Sequence, residues 1–126
     1  MDSLQAAMLA VNPSLTNFVF GPETYDAVVI TALAAEAAGS VAPAEIAAQI
    51  PIVTAIGSTE CSTYAACVGL LKAGESISYR GPSGARPLLK NGDPSVAATV
   101  IWQFRADDQI APIDEVDGVV PRASLT

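Results

Sequence analysis

The side chains that could do chemistry in this sequence are carboxylates and two cysteines, because the chain contains no histidine. Without histidine there is no Ser-His or Cys-His nucleophile pair, and the commonest general base and metal ligand is missing. Carboxylates acting in pairs could support hydrolysis. The candidates are Asp26, Glu36, Asp93, Asp107 and Asp108. No spacing singles out a pair among them, so an enzyme is the least favoured hypothesis, and we expect no catalytic residue, metal site or cofactor.

Cys61 and Cys67 are six residues apart. In one continuous helix their Cα atoms would lie roughly 9 Å apart, whereas a disulfide needs less than about 7 Å. Ser62 or Thr63 is a good N-cap, so Cys61 can precede the helix and fold back over its first turn toward Cys67. A metal or redox pair is the alternative, but two cysteines without histidine make a poor zinc site, and the spacing is not CxxC. We favour a structural disulfide over two free thiols, and with it an oxidising, extracytoplasmic compartment.

The element that must position these residues is a helix predicted over Tyr25–Gly39. Alanines interleave there with larger apolar residues, so we expect a helix that is buried almost all round. Pro22 and Glu23 suit its first turn, Thr24 is a candidate N-cap, and Gly39 suits the left-handed position after its end. At about 15 residues it is shorter than the roughly 20 needed to cross a bilayer, which favours a core helix over a membrane segment.

The remaining periodicity predicts helices before Gly74 and strands after it. The other predicted helices are Asp2–Val11, Pro43–Ile50, which Pro51 should end, and Thr63–Ala73. The predicted strands are Glu75–Arg80, Arg86–Lys90, Val96–Arg105 and Gln109–Ile113. Turns are expected at Gly81–Gly84, Asn91–Pro94 and Asp107-Asp108, and a loop at Gly57–Ser62. Trp102 is expected in the core, and the polar tail from Asp114 is expected on the surface or frayed.

Composition limits the possible partners. Hydrophobic residues make up 51% of the chain, so disorder is not expected. The formal net charge of −7 argues against nucleic acid and against an anionic membrane surface. The first residues lack the positive region and cleavage site of a signal peptide, so we expect either a cytosolic protein or a leader already removed.

Five segments in this order resemble a known family. They are NPSLTNFVFGPETYDAVVITALAAEAAGS, PAEIAAQI, CSTYAAC, LKAGESISYRGPSG and NGDP. Together they resemble the C-terminal part of the type I solute-binding proteins of ABC importers for branched-chain amino acids and related amides. The family features are the alanine-rich helix led by Tyr25-Asp26-Ala27, the cysteine pair, the stretches Leu71–Gly74 and Ile77–Gly84, and the turn Asn91–Pro94. The similarity runs over roughly residues 12–104.

The resemblance implies an α/β Venus-flytrap fold, in which two lobes clamp a ligand. On this interpretation the 126 residues form one partial domain, the C-terminal third of such a receptor. Residues 1–98 would supply helices and short strands of one lobe, and residues 99–120 the hinge crossing and final strands. A small amino-acid-like ligand and an ABC permease would be the partners, outside the cytoplasm.

Ligand contacts are implied at the start of the main helix. The family often has an aromatic ligand contact shortly before the YDA triplet, here Phe20 or Phe18, although both could simply pack in the core. Glu23 could pair with a ligand amine or be a first-turn acid favoured by the helix dipole. Tyr25 could form a hydrogen bond near the cleft or be a core tyrosine. For Asp26 we expect only a first-turn acid.

Two departures weaken any assignment to a subfamily. The stretch Ile77–Gly81 reads ISYRG where the family usually has an acidic residue, and ARPLL follows Ser83-Gly84 where a proline and an aromatic are usual.

A competing hypothesis is a self-associating structural domain without a small ligand, because unpaired strand edges and an apolar helix favour homo-oligomers.

Overall fold

The computed structural model describes residues 2–84 and 87–119. Within these ranges the elements are, in chain order, α1 (Asp2–Val11), α2 (Gly21–Ala38), α3 (Pro43–Val53), β1 (Thr59–Cys61), α4 (Tyr64–Lys72), β2 (Ile77–Tyr79), β3 (Val96–Phe104) and β4 (Ile110–Val119). β1 pairs with β2 in parallel, and β3 pairs with β4 as an antiparallel hairpin. The described residues thus have a mixed α/β fold, which agrees with the predicted class at that level.

Helix α2 has the predicted end and an earlier start. Gly39 adopts the left-handed conformation (φ 60°) and its amide donates to the Glu36 carbonyl, which closes the helix. Phe20, not Thr24, is the N-cap residue, because the helix already begins at Gly21. One face is buried, but Val28 on another face is 67% exposed. The expectation of burial almost all round is therefore wrong for the residues described here.

Helix α3 continues past the predicted end. Pro51 lies inside the helix, which runs on to Val53. A proline disfavours helical backbone at the preceding residue, here Ile50. The extra turn forms nevertheless, because it carries Val53 into the core at 1% exposure and lets the Thr54 hydroxyl donate to the Ile50 carbonyl. Tertiary packing has overridden the local signal.

The core lies where α2, α3 and α4 pack on the parallel strands. All three residues of β2 are buried. The buried apolar residues of this core are Val29, Ile30, Leu33, Ala34, Val53, Cys61, Cys67, Ile77 and Tyr79. Strand β1 lies in the segment predicted as a loop, and β2 is shorter than the predicted strand Glu75–Arg80. Three residues are too few to show a period of two, so pairing in the folded chain forms β1 where the sequence shows no signal.

The hairpin of β3 and β4 stands largely apart from this core. The two strands pair from Val96 with Val119 to Phe104 with Ile110, around a turn in which Asp108 has a φ of 59°. Trp102 is 55% exposed, so its predicted core position is wrong. From Asp114 to Val119 the tail is exposed, as expected, but it is not frayed, because these residues pair with β3. Residues 120–126 lie outside the described ranges.

The described residues between β2 and β3 form turns rather than a strand. The predicted strand Arg86–Lys90 is reduced to a single bridge between Leu88 and Pro94, and Arg86 itself lies outside the described residues. A turn is present, but two residues earlier than predicted: the Gly92 amide donates to the Leu89 carbonyl at 2.8 Å, which closes a turn over residues 89–92 rather than Asn91–Pro94. This turn precedes β3.

Candidate functional site

A buried carboxylate joins the start of α2 to the loop that follows β2. Asp26 is 4% exposed. Its Oδ1 accepts a hydrogen bond from the Tyr79 hydroxyl at 2.9 Å. Its Oδ2 accepts from the Ser83 amide at 2.9 Å and from the Ser83 hydroxyl at 2.5 Å. Hydrogen bonds to a carboxylate offset the hydration it loses on burial, so these three donors let Asp26 remain in the core. We refer to Asp26, Tyr79, Gly81 and Ser83 as the Asp26 junction.

Helix periodicity and one glycine produce this junction. Asp26 lies three and four residues before Val29 and Ile30, on the buried stripe of α2, so the helix carries its carboxylate into the core. A Cβ at position 81 would overlap the Asp26 carboxylate, so only glycine fits there. The predicted turn at Gly81–Gly84 is present, and it folds over the first turns of α2.

Burial, and then the hydrogen bond to Asp26, raise the pKa of the Tyr79 phenol above its usual value. The phenol therefore stays protonated at neutral pH and acts as a donor to the carboxylate. Since Asp26 is itself buried and occupied by donors, this arrangement is suited to holding the loop against the helix rather than to acid-base chemistry.

The residues proposed from sequence as ligand contacts lie together at the start of α2. Phe20 is in left-handed backbone (φ 60°) and 72% exposed. Tyr25 is 41% exposed, and Glu23 is an exposed acid in the first turn of the helix. Phe18 is partly buried in the preceding segment. The exposed positions of Phe20 and Tyr25 mean that neither is a core residue among the described residues.

Two apolar grooves flank this segment. One, of about 460 Å³, lies between α1 and α2 and is lined in part by Leu4, Met8, Phe20 and Tyr25. The other, also of about 460 Å³, lies between Val19 and the hairpin, where Trp102, Gln103, Phe104 and Ile110 line it. Glu23 lines neither groove. The structure thus brings Phe20 and Tyr25 to one groove, whereas Phe18 and Glu23 do not line it.

The carboxylates considered for catalysis do not form one cluster among the described residues: Asp26 and Glu36 lie in α2, and Asp107 and Asp108 are adjacent in the hairpin turn. Glu36 accepts a hydrogen bond from the Tyr64 hydroxyl at 3.1 Å, which raises the pKa of that phenol. Asp107 pairs with Arg105 at 2.6 Å in the hairpin turn, and this pair lowers the pKa of the Asp107 carboxyl. Asp93 lies in the turn before β3. Within residues 2–84 and 87–119, no group of three or more acidic, cysteine or histidine side chains could hold a metal ion.

The predicted disulfide is present. Cys61 and Cys67 are bonded, with their Cα atoms 5.4 Å apart. Cys61 ends β1, and Thr63 caps the helix that carries Cys67 by accepting a hydrogen bond from the Ala66 amide at 3.3 Å. As expected, the cap places Cys61 before the helix and Cys67 inside it, so that the two cysteines can approach each other. The bond ties β1 to α4, and it is compatible with a location outside the cytoplasm.

Among the described residues, no helix alone has both the length and the apolar character to cross a bilayer. Helices α2 and α3 together are long and apolar enough to cross a bilayer, by length and composition only, and the chain bends by 107° between them.

The prediction of a first-turn acid at Asp26 is wrong: α2 begins at Gly21, so Asp26 lies in the second turn of the helix, where it is buried. The sequence does contain a signal for this burial. Asp26 lies at helical spacing from the apolar residues Val29, Ile30 and Leu33, and an acid on such a stripe predicts a buried, hydrogen-bonded carboxylate. No signal identified Tyr79 and Ser83 as its donors, because they lie more than fifty positions away.

Comparison of this chain with protein-family models, with curated proteins and with solved structures finds no match.

Proposed function

We propose that this chain is the C-terminal part of a solute-binding receptor of an ABC importer, of the type I Venus-flytrap class. Its ligand would be a branched-chain amino acid or a related amino acid or amide. The receptor would close two lobes around the ligand and deliver it to a membrane permease. The proposal rests on the ordered motifs described above and on three features of the geometry.

The Asp26 junction supports this proposal best. Asp26 belongs to the YDA triplet, and Tyr79, Gly81 and Ser83 belong to the ISYRGPSG stretch. These are two of the segments that carry the resemblance. They are far apart in sequence, yet three hydrogen bonds join them into one unit. If this chain shares the fold of that family, we expect residues from its separate motifs to contact one another in this way.

The exposed aromatic residues before and in α2 are a second support. An apolar groove of about 460 Å³ is within the range of roughly 300–1,000 Å³ typical of small-molecule sites. Phe20 and Tyr25 would offer apolar and cation–π contacts to an aliphatic amino acid. Under this proposal a second lobe, on polypeptide beyond these residues, would enclose the other side of the ligand.

The hairpin and the disulfide are the third support. Trp102 and Phe104 are two positions apart along β3 and therefore share one face, and they are 55% and 78% exposed. Such a face is typical of a strand pair that packs on further structure. The disulfide is compatible with the extracytoplasmic location that a solute receptor requires.

The proposal requires a longer gene product that contains this chain, and it is tested by isothermal titration calorimetry on that longer product and on the 126-residue chain. Leucine, isoleucine, valine and short amides are the probes. We expect binding to the longer product and none to the shorter chain, because half of the cleft is missing from it. Micromolar binding by the 126-residue chain alone, or a folded longer product that binds none of these probes, would refute the proposal.

A matched pair of substitutions locates the contact. Phe20→Ala in the longer product should weaken binding about tenfold or more, as removal of a buried aromatic contact typically does. Val41→Ala is the control, because Val41 is 89% exposed in the turn after α2. Equal affinities for the two variants would remove Phe20 from the site.

Self-association is a second candidate function, and the apolar face of the hairpin favours it. Trp102→Lys should then reduce the dimer fraction, whereas Thr99→Lys, at an exposed position on the opposite face of β3 and outside the groove, should not. Because the net charge is −7, added salt should favour the dimer by screening repulsion. A monomer at high protein and salt concentration, measured by light scattering, would eliminate this candidate.

A further inference from the structure

We propose that Asn91 is a site of spontaneous deamidation and that the turn around it controls the rate. Asn91 is followed by Gly92, which has no Cβ to obstruct attack by its own amide nitrogen. This inference is independent of the proposed transport function. It rests on the chemistry of the two residues and on the hydrogen bonds of their turn.

The reaction balances without any cofactor. The Gly92 amide nitrogen bonds to Cγ of Asn91 and gives up its proton, while the bond from Cγ to Nδ2 breaks and Nδ2 leaves as ammonia with that proton. The product is a five-membered cyclic imide. Water then opens either of its carbonyls, which yields aspartate or isoaspartate at position 91. Asn91 and Gly92 are both exposed, so water reaches the imide.

The other two asparagines are internal controls. Asn12 precedes Pro13, which has no amide hydrogen and cannot attack in this way. Asn17 precedes Phe18, whose Cβ and ring obstruct the approach. The reaction should therefore be concentrated at Asn91.

The folded turn opposes each step of the attack. The Gly92 amide is engaged with the Leu89 carbonyl at 2.8 Å. The Asn91 side chain is held at both ends by Asp93: its Nδ2 donates to the Asp93 carboxylate at 2.7 Å, and its Oδ1 accepts from the Asp93 amide at 3.2 Å. The nucleophile and the leaving group must both leave these partners before the imide can form.

The modification should loosen the start of the hairpin. Deamidation replaces the Nδ2 donor by an oxygen, so two carboxylates would then lie side by side in place of a hydrogen bond. The bond from the Leu89 amide to the Asp93 carbonyl and the bridge from Leu88 to Pro94 adjoin this point. Repulsion between like charges at that distance favours opening of the turn.

The test compares deamidation rates in the folded chain and in urea at mildly alkaline pH. Proteolytic peptide mapping with mass spectrometry locates the modified asparagine, and isoaspartyl methyltransferase labelling detects isoaspartate. Because about three hydrogen bonds must open, we expect Asn91 to react roughly 100-fold more slowly in the folded chain. Equal rates in the two states, or no preference for Asn91 over Asn12 and Asn17 in urea, would overturn the proposal.

Substitutions separate the turn from the intrinsic chemistry. Asp93→Ala removes the acceptor that holds the leaving group, so the folded-state rate should rise about tenfold while the rate in urea stays the same. Asp108→Ala, in the distant hairpin turn, should leave both rates unchanged. Gly92→Ala should slow the reaction in urea. If Asp93→Ala does not raise the folded-state rate, the turn does not control it.

Discussion

Replacing Asp26 by alanine should destabilise the folded chain more than any change to an exposed acid. The substitution removes the acceptor of three hydrogen bonds in a site where Asp26 is 4% exposed and Tyr79 is 2% exposed. The Tyr79 hydroxyl then remains buried without this acceptor. It also removes the contact that fixes the loop at Gly81 and Ser83 against α2.

The expected magnitude follows from the bonds that are lost. A hydrogen bond to a charged group contributes about 1.5–3 kcal/mol, and leaving a buried donor unsatisfied costs about 1–3 kcal/mol. Because these terms overlap and the loop can relax, we expect Asp26→Ala to lower the free energy of unfolding by about 4 kcal/mol. With a urea dependence of about 2 kcal/mol/M, the unfolding midpoint should fall by about 2 M.

Urea unfolding followed by far-ultraviolet circular dichroism measures this change. Glu23→Ala is the matched control, an exposed acid in the same first turns of α2, and it should stay within about 0.5 kcal/mol of the original chain. The double variant Asp26→Ala/Tyr79→Phe should be less destabilised than the sum of its single variants, by about 1–2 kcal/mol, since both remove the same bond.

A small effect would refute this account of the junction. If Asp26→Ala destabilises the chain by less than about 1 kcal/mol, the three hydrogen bonds do not hold helix and loop together. Strict additivity of the double variant would equally show that Asp26 and Tyr79 act independently.

Three further predictions follow from the same structure. Replacing Cys61 and Cys67 together by alanine should cost about 2 kcal/mol, because the bond closes a short loop, and thiol titration of the unreduced, unfolded chain should find no free thiol. Thr63→Ala should lower the free energy of unfolding by about 1 kcal/mol, because it removes the helix cap, whereas Ser62→Ala should lower it by less than about 0.5 kcal/mol. If urea unfolding shows the larger loss for Ser62→Ala, the assignment of Thr63 as the cap is contradicted. Burial raises the pKa of the Tyr79 phenol, so the folded state keeps this proton to higher pH than the unfolded state. The associated stability should be intact below about pH 10 and decline above it, by at most about 1.4 kcal/mol per pH unit, and an equally steep decline in Tyr79→Phe would contradict this assignment.

Local signals predicted the features that depend on a few neighbouring residues. Gly39 ends α2 because glycine adopts the left-handed backbone conformation most easily. Thr63 caps α4 because its side chain accepts a hydrogen bond from a nearby backbone amide. The pairing of Cys61 with Cys67 followed from the position of that cap. The prediction of strand β3 followed from the concentration of β-branched and aromatic residues in that segment.

Features that depend on distant partners were not predictable from local signals. Strand β1 exists because β2 pairs with it, and the end of α3 passes Pro51 because Val53 is buried in the core. The donors to Asp26 come from a loop more than fifty residues away. Trp102 resembles a core residue in composition, yet the main packing partner of its strand is β4 rather than a helix, so Trp102 is 55% exposed.

The claim that this chain is part of one lobe of a closing receptor is tested most directly by small-angle X-ray scattering on the longer gene product. The radius of gyration is measured with and without saturating leucine, isoleucine, valine or a short amide. We predict a smaller radius with at least one of these ligands, because the lobes close around it. An unchanged radius with every one of them, in a protein shown to be folded, would contradict the claim.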